Sequence, residues 1–280
     1  MANSVLGSGT PIQAAEFQAL SRLVTERFGI QLPESKRAML VGRLQRILRE
    51  KGFASFSDYY DYVVGDKTGK ALSDLVDRVS TNHTYFWREH EHFDFFRDTV
   101  VPERAALRKS DGDLRFWCAG CSSGEEAYTL QILMREALGR GYSQWKAGLL
   151  ATDISDRVLT SARAGIYEAD QLENAPSNWM RQWFEAAGAG RVRARDALRS
   201  DLVFRRFNLM NAALPFKKSF DAIFCRNVMI YFDTPTKAAL VRRFIGHLLP
   251  GAYLFIGHSE SLGASFAELK YLRPSVYQRV

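Results

Sequence analysis

Cysteine is scarce in this chain, with Cys118, Cys121 and Cys225 the only three in 280 residues. An odd count without an export signal argues against a disulfide framework and for reduced thiols. Long apolar runs are missing as well. None approaches the roughly 18 residues that a bilayer span demands, and Met1 to Gly9 lacks the basic start and apolar stretch of a signal peptide. A cytoplasmic protein without membrane insertion is expected. No internal repeat and no low-complexity tract interrupts the sequence. What is present is 46% hydrophobic residues, enough to bury a full core in one large or two smaller domains.

The formal charge of +7 is concentrated in two places. Lys36 to Lys51 sets six basic side chains against Glu50, and Arg191 to Arg206 sets six arginines against Asp196 and Asp201. Acidic partners are implied. In the first cluster Leu40, Leu44, Ile47 and Leu48 recur at helical spacing, with Arg43, Arg46 and Arg49 on an adjoining flank. That flank reads either as a solvated helix face or as a contact for an acidic surface.

The chain changes character between about residues 80 and 110. Glu16 to Tyr62 reads as amphipathic helices: Phe17, Leu20, Leu23 and Val24 mark the first, the basic helix follows, and Ser57 is a plausible N-cap for a third. Lys70 to Val79 reads as a fourth. From Leu114 onward apolar strands, glycine-rich turns and helices alternate, the pattern of a doubly wound parallel sheet. Strands are expected at Leu114 to Cys118, Ala147 to Thr152, Val203 to Phe207, Phe220 to Cys225 and Ala252 to Gly257, with a last hairpin ending at Ser275 to Val280. Arg alternates with Val and Ala from Arg191 to Arg195 after the Gly188-Ala189-Gly190 turn, which predicts a short antiparallel hairpin in the segment 184–203. The expected division is a helical domain over 1–80, a linking helix over 81–110 and an α/β domain over 111–280.

Chemistry in such sheets sits outside the carboxyl ends of the strands. Phe220 to Cys225 runs into Arg226-Asn227-Val228-Met229-Ile230-Tyr231, so Asn227 to Tyr231 line the crevice. The first strand ends in Cys118-Ala119-Gly120-Cys121-Ser122-Ser123-Gly124-Glu125-Glu126, a small-residue turn that lets the backbone approach a nucleotide. It departs from Gly-x-Gly-x-x-Gly, and its two acids repel a pyrophosphate but suit an ammonium group. At the tip of the second strand Asp153 is either a ribose-binding acid or the N-cap of the helix Asp156 to Ala164.

These motifs closely resemble the CheR family, the S-adenosylmethionine-dependent methyltransferases that esterify glutamates on chemotaxis receptors. The resemblance rests on Ser80-Thr81-Asn82-His83-Thr84-Tyr85-Phe86-Trp87-Arg88-Glu89, on Ser122 to Glu126, on Ala151-Thr152-Asp153-Ile154-Ser155 with Ala162 to Tyr167, on Asn208-Leu209 and on Phe220 to Asp233. It extends over the chain from about Phe28. It implies a methyltransferase sheet carrying a small antiparallel β insertion and preceded by an all-α domain. It also implies that Asn82, Thr84, Arg88, Glu125, Asp153, Asn208, Leu209, Asn227 and Val228 hold S-adenosylmethionine or its product S-adenosylhomocysteine, and it tips Asp153 toward the ribose role. Arg88 and Tyr231 are then the catalytic pair that positions the acceptor glutamate. Methyl-accepting chemotaxis receptors become the partners, with Arg43, Arg46 and Arg49 facing their acidic helices. Some family members capture a receptor C-terminal peptide on the β insertion. The Gly188-Ala189-Gly190 turn looks shorter than in those members, so recognition mainly through the N-terminal helices is expected.

Competing readings are a thiol oxidoreductase using Cys118 and Cys121, a non-catalytic S-adenosylmethionine-binding adaptor, and a nucleic-acid methyltransferase. Cys118 falls inside a strand rather than at a helix start where a thiolate is stabilised. No aromatic-interleaved basic stretch marks a nucleic-acid site, and Arg88 and Tyr231 are both present, as an adaptor does not require. His90-Glu91-His92 lacks a second ligand pair for zinc, so no metal is expected. The protein is read as a monomer.

Overall fold

The computed structural model describes residues 10–262 and 266–280. The Met1 to Gly9 stretch read for a leader lies outside them. The chain forms two compact units, Met1–Thr81 and Asn82–Val280.

The first unit contains α1 (Ala14–Phe28), α2 (Arg37–Lys51), α3 (Phe56–Gly65) and α4 (Lys70–Val79). Phe17, Leu20, Leu23, Val24 and Phe28 form the buried stripe of α1, and Leu40, Leu44, Ile47 and Leu48 that of α2, the spacing that puts side chains on one helix face. The N-cap of α3 is Ser55, not Ser57. Ser55 Oγ accepts from Asp58 N at 3.1 Å while Asp58 Oδ2 accepts from Ser55 N at 3.0 Å, a reciprocal capping box that satisfies two orphan amides. Ser57 instead donates its N and Oγ to Glu16 Oε1, at 2.8 and 2.9 Å.

The second unit begins with α5 (His90–Phe95) and α6 (Val101–Leu107), then runs β1 (Asp113–Ala119), α7 (Glu125–Leu138), β2 (Lys146–Asp153), α8 (Asp156–Ala164), β3 (Ile166–Glu168), α9 (Trp179–Trp183), β4 (Phe184–Gly188), β5 (Arg191–Ala194), α10 (Asp196–Arg199) and β6 (Leu202–Arg206). It ends with β7 (Phe220–Cys225), α11 (Thr234–His247), β8 (Leu248–Ile256), β9 (Leu269–Arg273) and β10 (Val276–Arg279). The seven-stranded sheet has the order β6-β2-β1-β7-β8-β10-β9. Its first five strands are parallel, and β10 runs antiparallel to both neighbours. Every residue of β7 is buried, as a strand covered on both faces requires. Its one acid, Asp221, is paired: Oδ1 accepts from Arg104 Nε at 2.9 Å and Oδ2 from Arg115 N at 2.9 Å.

The small insertion differs from the predicted two-stranded hairpin. It is a separate three-stranded sheet, β3-β5-β4, whose third strand comes from the Gly165-Ile166-Tyr167 segment. Its strands end at Ala194, and Leu202–Arg206 belongs to the large sheet. The β4–β5 turn carries three successive positive φ values, at Gly188 (78°), Ala189 (50°) and Gly190 (73°).

The strand order places the ligand crevice. After β1 the chain builds outward through β2 and β6, then returns to β1's other edge as β7 and builds the opposite way through β8. The order therefore reverses between β1 and β7, and binding sites of open parallel sheets form at that switch point.

Candidate active site

At the switch point two turns interlock. Gly120, at φ 98°, ends β1, and a Cβ there would meet Val228 Cγ2 at 2.3 Å, so only glycine allows the post-β7 loop this close. Gly257, after β8, faces the same loop, where a Cβ would meet Asn227 Nδ2 at 2.4 Å. Asn227 itself has φ 58°, uncommon for a residue with a side chain but tolerated by asparagine.

That conformation is held by a buried carboxylate the sequence reading missed. Glu260 Oε2 accepts from Asn227 N at 3.0 Å and Gly257 N at 2.6 Å, and Oε1 accepts from Ile230 N at 3.0 Å. Burial raises the Glu260 carboxyl, and the backbone donors oppose that rise. Tyr231 follows on a single 3₁₀ turn, Met229–Tyr231, so its ring position depends on this anchor.

The turn after β1 is tied to the tip of β2. Asp153 Oδ2 accepts from Ser122 N at 2.9 Å and Oδ1 from Ser155 N at 3.0 Å. The N-cap of α8 is Ser155, whose side chain accepts from Val158 N, so Asp153 is not the cap. Ser122 Oγ donates to the Asn82 carbonyl at 2.8 Å, which brings the segment before α5 to the same turn. Asn208 Oδ1 accepts from Met210 N at 2.9 Å, holding the loop after β6 with Leu209 buried beside it.

The two acids opening α7 have different fates. Glu126 Oε2 accepts from Arg226 Nη1 at 2.8 Å and its Oε1 accepts from Cys118 Sγ at 3.2 Å, so a protein cation already neutralises it. Glu125 is 2% exposed, takes hydrogen bonds from Ser123 Oγ, and has its carboxyl raised by burial. Of the pair, Glu125 is the one without a protein cation bonded to it, and it is the one the family resemblance implies for the cofactor. The cluster thus fits S-adenosylmethionine: an acid for its ammonium, an acid at the β2 tip for its ribose, and a glycine turn for close approach.

Arg88 lies between two residues in the left-handed region, Trp87 at φ 67° and Glu89 at φ 57°. Strain of this kind persists only where surrounding contacts impose it, and it clusters at functional sites. The imposing contact is Arg226, whose side chain is fully buried; its Nη2 donates to the Arg88 carbonyl and, at 3.0 Å, to Glu89 Oε2. Glu89 Oε1 in turn accepts from Asn227 Nδ2 at 3.1 Å. Burial alone would raise the Glu89 carboxyl, but Arg226 and Asn227 hold it below its usual value. The Arg88 side chain donates Nη1 to the His83 carbonyl at 2.9 Å and lies 5.7 Å from the Tyr85 ring centroid. Its ion pair with Glu89 is at 4.0 Å, so a structural salt bridge is a minor use of this guanidinium.

The structure removes the dithiol reading. Cys118 is the sixth residue of β1, both Cys118 and Cys121 are fully buried free thiols, and burial drives each well above its usual pKa. A redox nucleophile needs the opposite.

In the helical unit the three arginines of α2 are not equivalent. Arg43 Nη1 donates to the carbonyls of Val79 (2.7 Å) and Ser80 (3.0 Å), and Nη2 to Thr81 Oγ1 (3.3 Å), clasping the C-terminal end of α4. Arg46 pairs with Glu50 at 2.5 Å and, like Arg49, is exposed. Arg46 and Arg49 are the solvent-facing pair.

Residues 15–80 match the family profile described as "CheR methyltransferase, all-alpha domain", and residues 82–276 match "CheR methyltransferase, SAM binding domain". The chain is 38% identical over 266 residues to a chemotaxis protein methyltransferase of Borreliella burgdorferi, covering 94% of each. It is 36% identical over 250 residues to the chemotaxis protein methyltransferase of Escherichia coli strain K12, covering 88% of this chain and 84% of that one. A third relative, chemotaxis protein methyltransferase 2 of Pseudomonas aeruginosa, is 36% identical over 95% of this chain and 91% of its own length. S-Adenosylmethionine is accordingly the cofactor of the larger unit, and the chain belongs to the CheR methyltransferase family.

Proposed function

We propose that the protein esterifies glutamate side chains of methyl-accepting chemotaxis receptors in the cytoplasm, acting as a monomer. S-Adenosylmethionine supplies an activated methyl group on a sulfonium centre. The protein has little further chemistry to do, because a glutamate carboxyl with a reference pKa of about 4.3 is already the nucleophile at neutral pH and needs no general base. Its task is orientation, itself a large rate term. The observation that carries this reading is Arg88, anchored through Arg226 and Glu89 to the loop that bears Asn227 and Tyr231. An arginine fork suits a carboxylate, and a tyrosine hydroxyl adds one orienting hydrogen bond. The test is incubation with labelled S-adenosylmethionine and receptor-containing membranes, followed by alkali. Release of labelled methanol is expected, and alkali-stable label on the receptor would overturn the ester assignment.

Asp153 is proposed to grip the ribose. Replacing it with alanine removes a charged acceptor and should weaken cofactor binding by about 1.5–3 kcal/mol, read by calorimetry with S-adenosylhomocysteine. Because Asp153 also holds Ser122 N and Ser155 N, the companion Asp153→Asn keeps one acceptor oxygen and should lose less. Equal affinity in all three proteins would take Asp153 out of the site.

Receptor recognition is proposed to rest on Arg46 and Arg49 rather than on strand addition to the small sheet. Exposed complementary charges mainly raise the association rate and are screened by salt. Reversing both, as Arg46→Glu and Arg49→Glu, should raise the receptor KM several-fold at low salt and flatten its salt dependence. An unchanged KM there would leave α2 a plain solvated face.

A further inference from the structure

A buried histidine lies beside the active-site loop with one ring nitrogen unsatisfied. His92, on the first turn of α5, is 1% exposed. Its Nε2 is 3.4 Å from the Pro274 carbonyl, and its Nδ1, buried and without a hydrogen bond, is 3.8 Å from Glu89 Oε2. Both ring nitrogens therefore face oxygen acceptors, while a neutral imidazole carries one N–H. With that hydrogen on Nε2, the Nδ1 lone pair points toward a carboxylate. A metal cation between the two satisfies the Nδ1 lone pair and competes for Glu89 Oε2 with Arg226 Nη2 at 3.0 Å and His258 N at 3.2 Å, and Nε2–H donation to a backbone carbonyl is the usual outer support of a metal-bound histidine.

A third donor stands at the same place. His258, exposed on the loop after β8, has its ring centroid 4.6 Å from that of His92. One ligand atom from each of Glu89, His92 and His258 can be chosen so that all lie within 4.8 Å of one another. Zinc bonds to histidine nitrogen and carboxylate oxygen of about 2.0–2.2 Å put tetrahedral neighbours roughly 3.4 Å apart. Glu89 and His92 are thus near that spacing, and the exposed His258 has room to close the remainder. The nearby Arg226 is a competing cation at this place, offset by its pairing with Glu89 at 3.0 Å and Glu126 at 2.8 Å.

We propose that Glu89, His92 and His258 bind one divalent transition ion of the Zn²⁺ class, with a fourth position open to water, and that occupation slows the enzyme by drawing Glu89 away from Asn227 and Arg226. The second half rests on the methyltransferase reading. The first does not.

The probe is ZnCl₂ added to the full chain at pH 7.5, followed by native mass spectrometry and calorimetry. One tight equivalent is expected in the wild type. His258→Ala, an exposed change, should weaken it at least tenfold, and His90→Ala, which removes an exposed neighbour paired with Asp94, should not. Absence of a one-to-one complex, or equal zinc affinity in wild type and His258→Ala, overturns the site. Methyl transfer is then titrated with zinc, each protein referred to its own zinc-free rate. Inhibition that shifts to at least tenfold higher zinc in His258→Ala supports the coupling, whereas zinc binding without inhibition overturns it and leaves the site standing.

Discussion

Arg88→Ala is expected to lower the single-turnover rate of receptor methylation by about 100- to 1,000-fold at saturating cofactor, the scale of removing one preorganised charged donor from a reacting centre. The reasoning starts from its backbone. Trp87 and Glu89 both occupy the left-handed region, and Arg226 reaches the carbonyl between them, so the site expends conformational energy to hold this residue's Cα in place. The side chain, by contrast, is held by the His83 carbonyl, the Tyr85 ring and a 4.0 Å pairing with Glu89, and it can exchange the first two for a carboxylate. Arg88→Lys should recover only part of the rate, because an ammonium is a point charge without the planar fork. Tyr231→Phe tests the other half of the pair. It should cost roughly 2- to 10-fold, the worth of one hydrogen bond, with cofactor affinity within a few-fold since the ring's packing survives. A full single-turnover rate in Arg88→Ala would remove the guanidinium from acceptor positioning and leave it a loop residue.

Much of this site is legible in the chain because its cofactor face is built from strand ends. Each of the turns after β1, β2, β6 and β7 is a local motif, and alternation of strand and helix is enough to bring their tips to one edge of a sheet. The layer behind them is not local. Arg226 meets Glu126 across 100 residues and Glu89 across 137, and Glu260 reaches Asn227 across 33. Nothing in spacing or periodicity pairs such residues. A signal was available all the same: Arg226 directly follows an unbroken buried strand, and a cation there must find buried acids. The same reasoning explains why the third strand of the small sheet escaped the reading. Ile166–Glu168 has three residues, too few for an alternation pattern, and pairs with β5 only through tertiary context. The cap of α3 is legible, by contrast: Ser55 has Asp58 three residues on, the capping-box pattern that the reciprocal bonds realise, whereas Ser57 has Tyr60 there.

The buried pairing at Arg226 sets the second large effect. Its guanidinium is fully enclosed, bonded to Glu126 at 2.8 Å and Glu89 at 3.0 Å, and 4.8 Å from the Phe93 ring centroid. Removing the cation leaves two largely buried carboxylates, their side chains 14% and 15% exposed, with no charge between them, and breaking a buried pair from one side costs about 3–5 kcal/mol. Arg226→Met, which keeps the apolar volume, should therefore destabilise the Asn82–Val280 unit by that amount. All five tryptophans lie between Trp87 and Trp183, so denaturant unfolding of the full chain followed by tryptophan fluorescence reports this unit alone. Cofactor affinity should fall with it, since Glu89 orients Asn227 through the same carboxylate. Lost charge is separable from lost shape by adding Glu89→Gln and Glu126→Gln to Arg226→Met, because replacing a whole buried ionic cluster by neutral groups costs far less than breaking it. The triple variant should regain at least half of the lost stability while methyl transfer stays low, its Arg88 carbonyl and Asn227 amide still lacking their charged anchor. A single variant less than about 1 kcal/mol below wild type, the range of a solvent-exposed pair, would mean that water reaches Arg226 and that the loop is held by Glu260 alone.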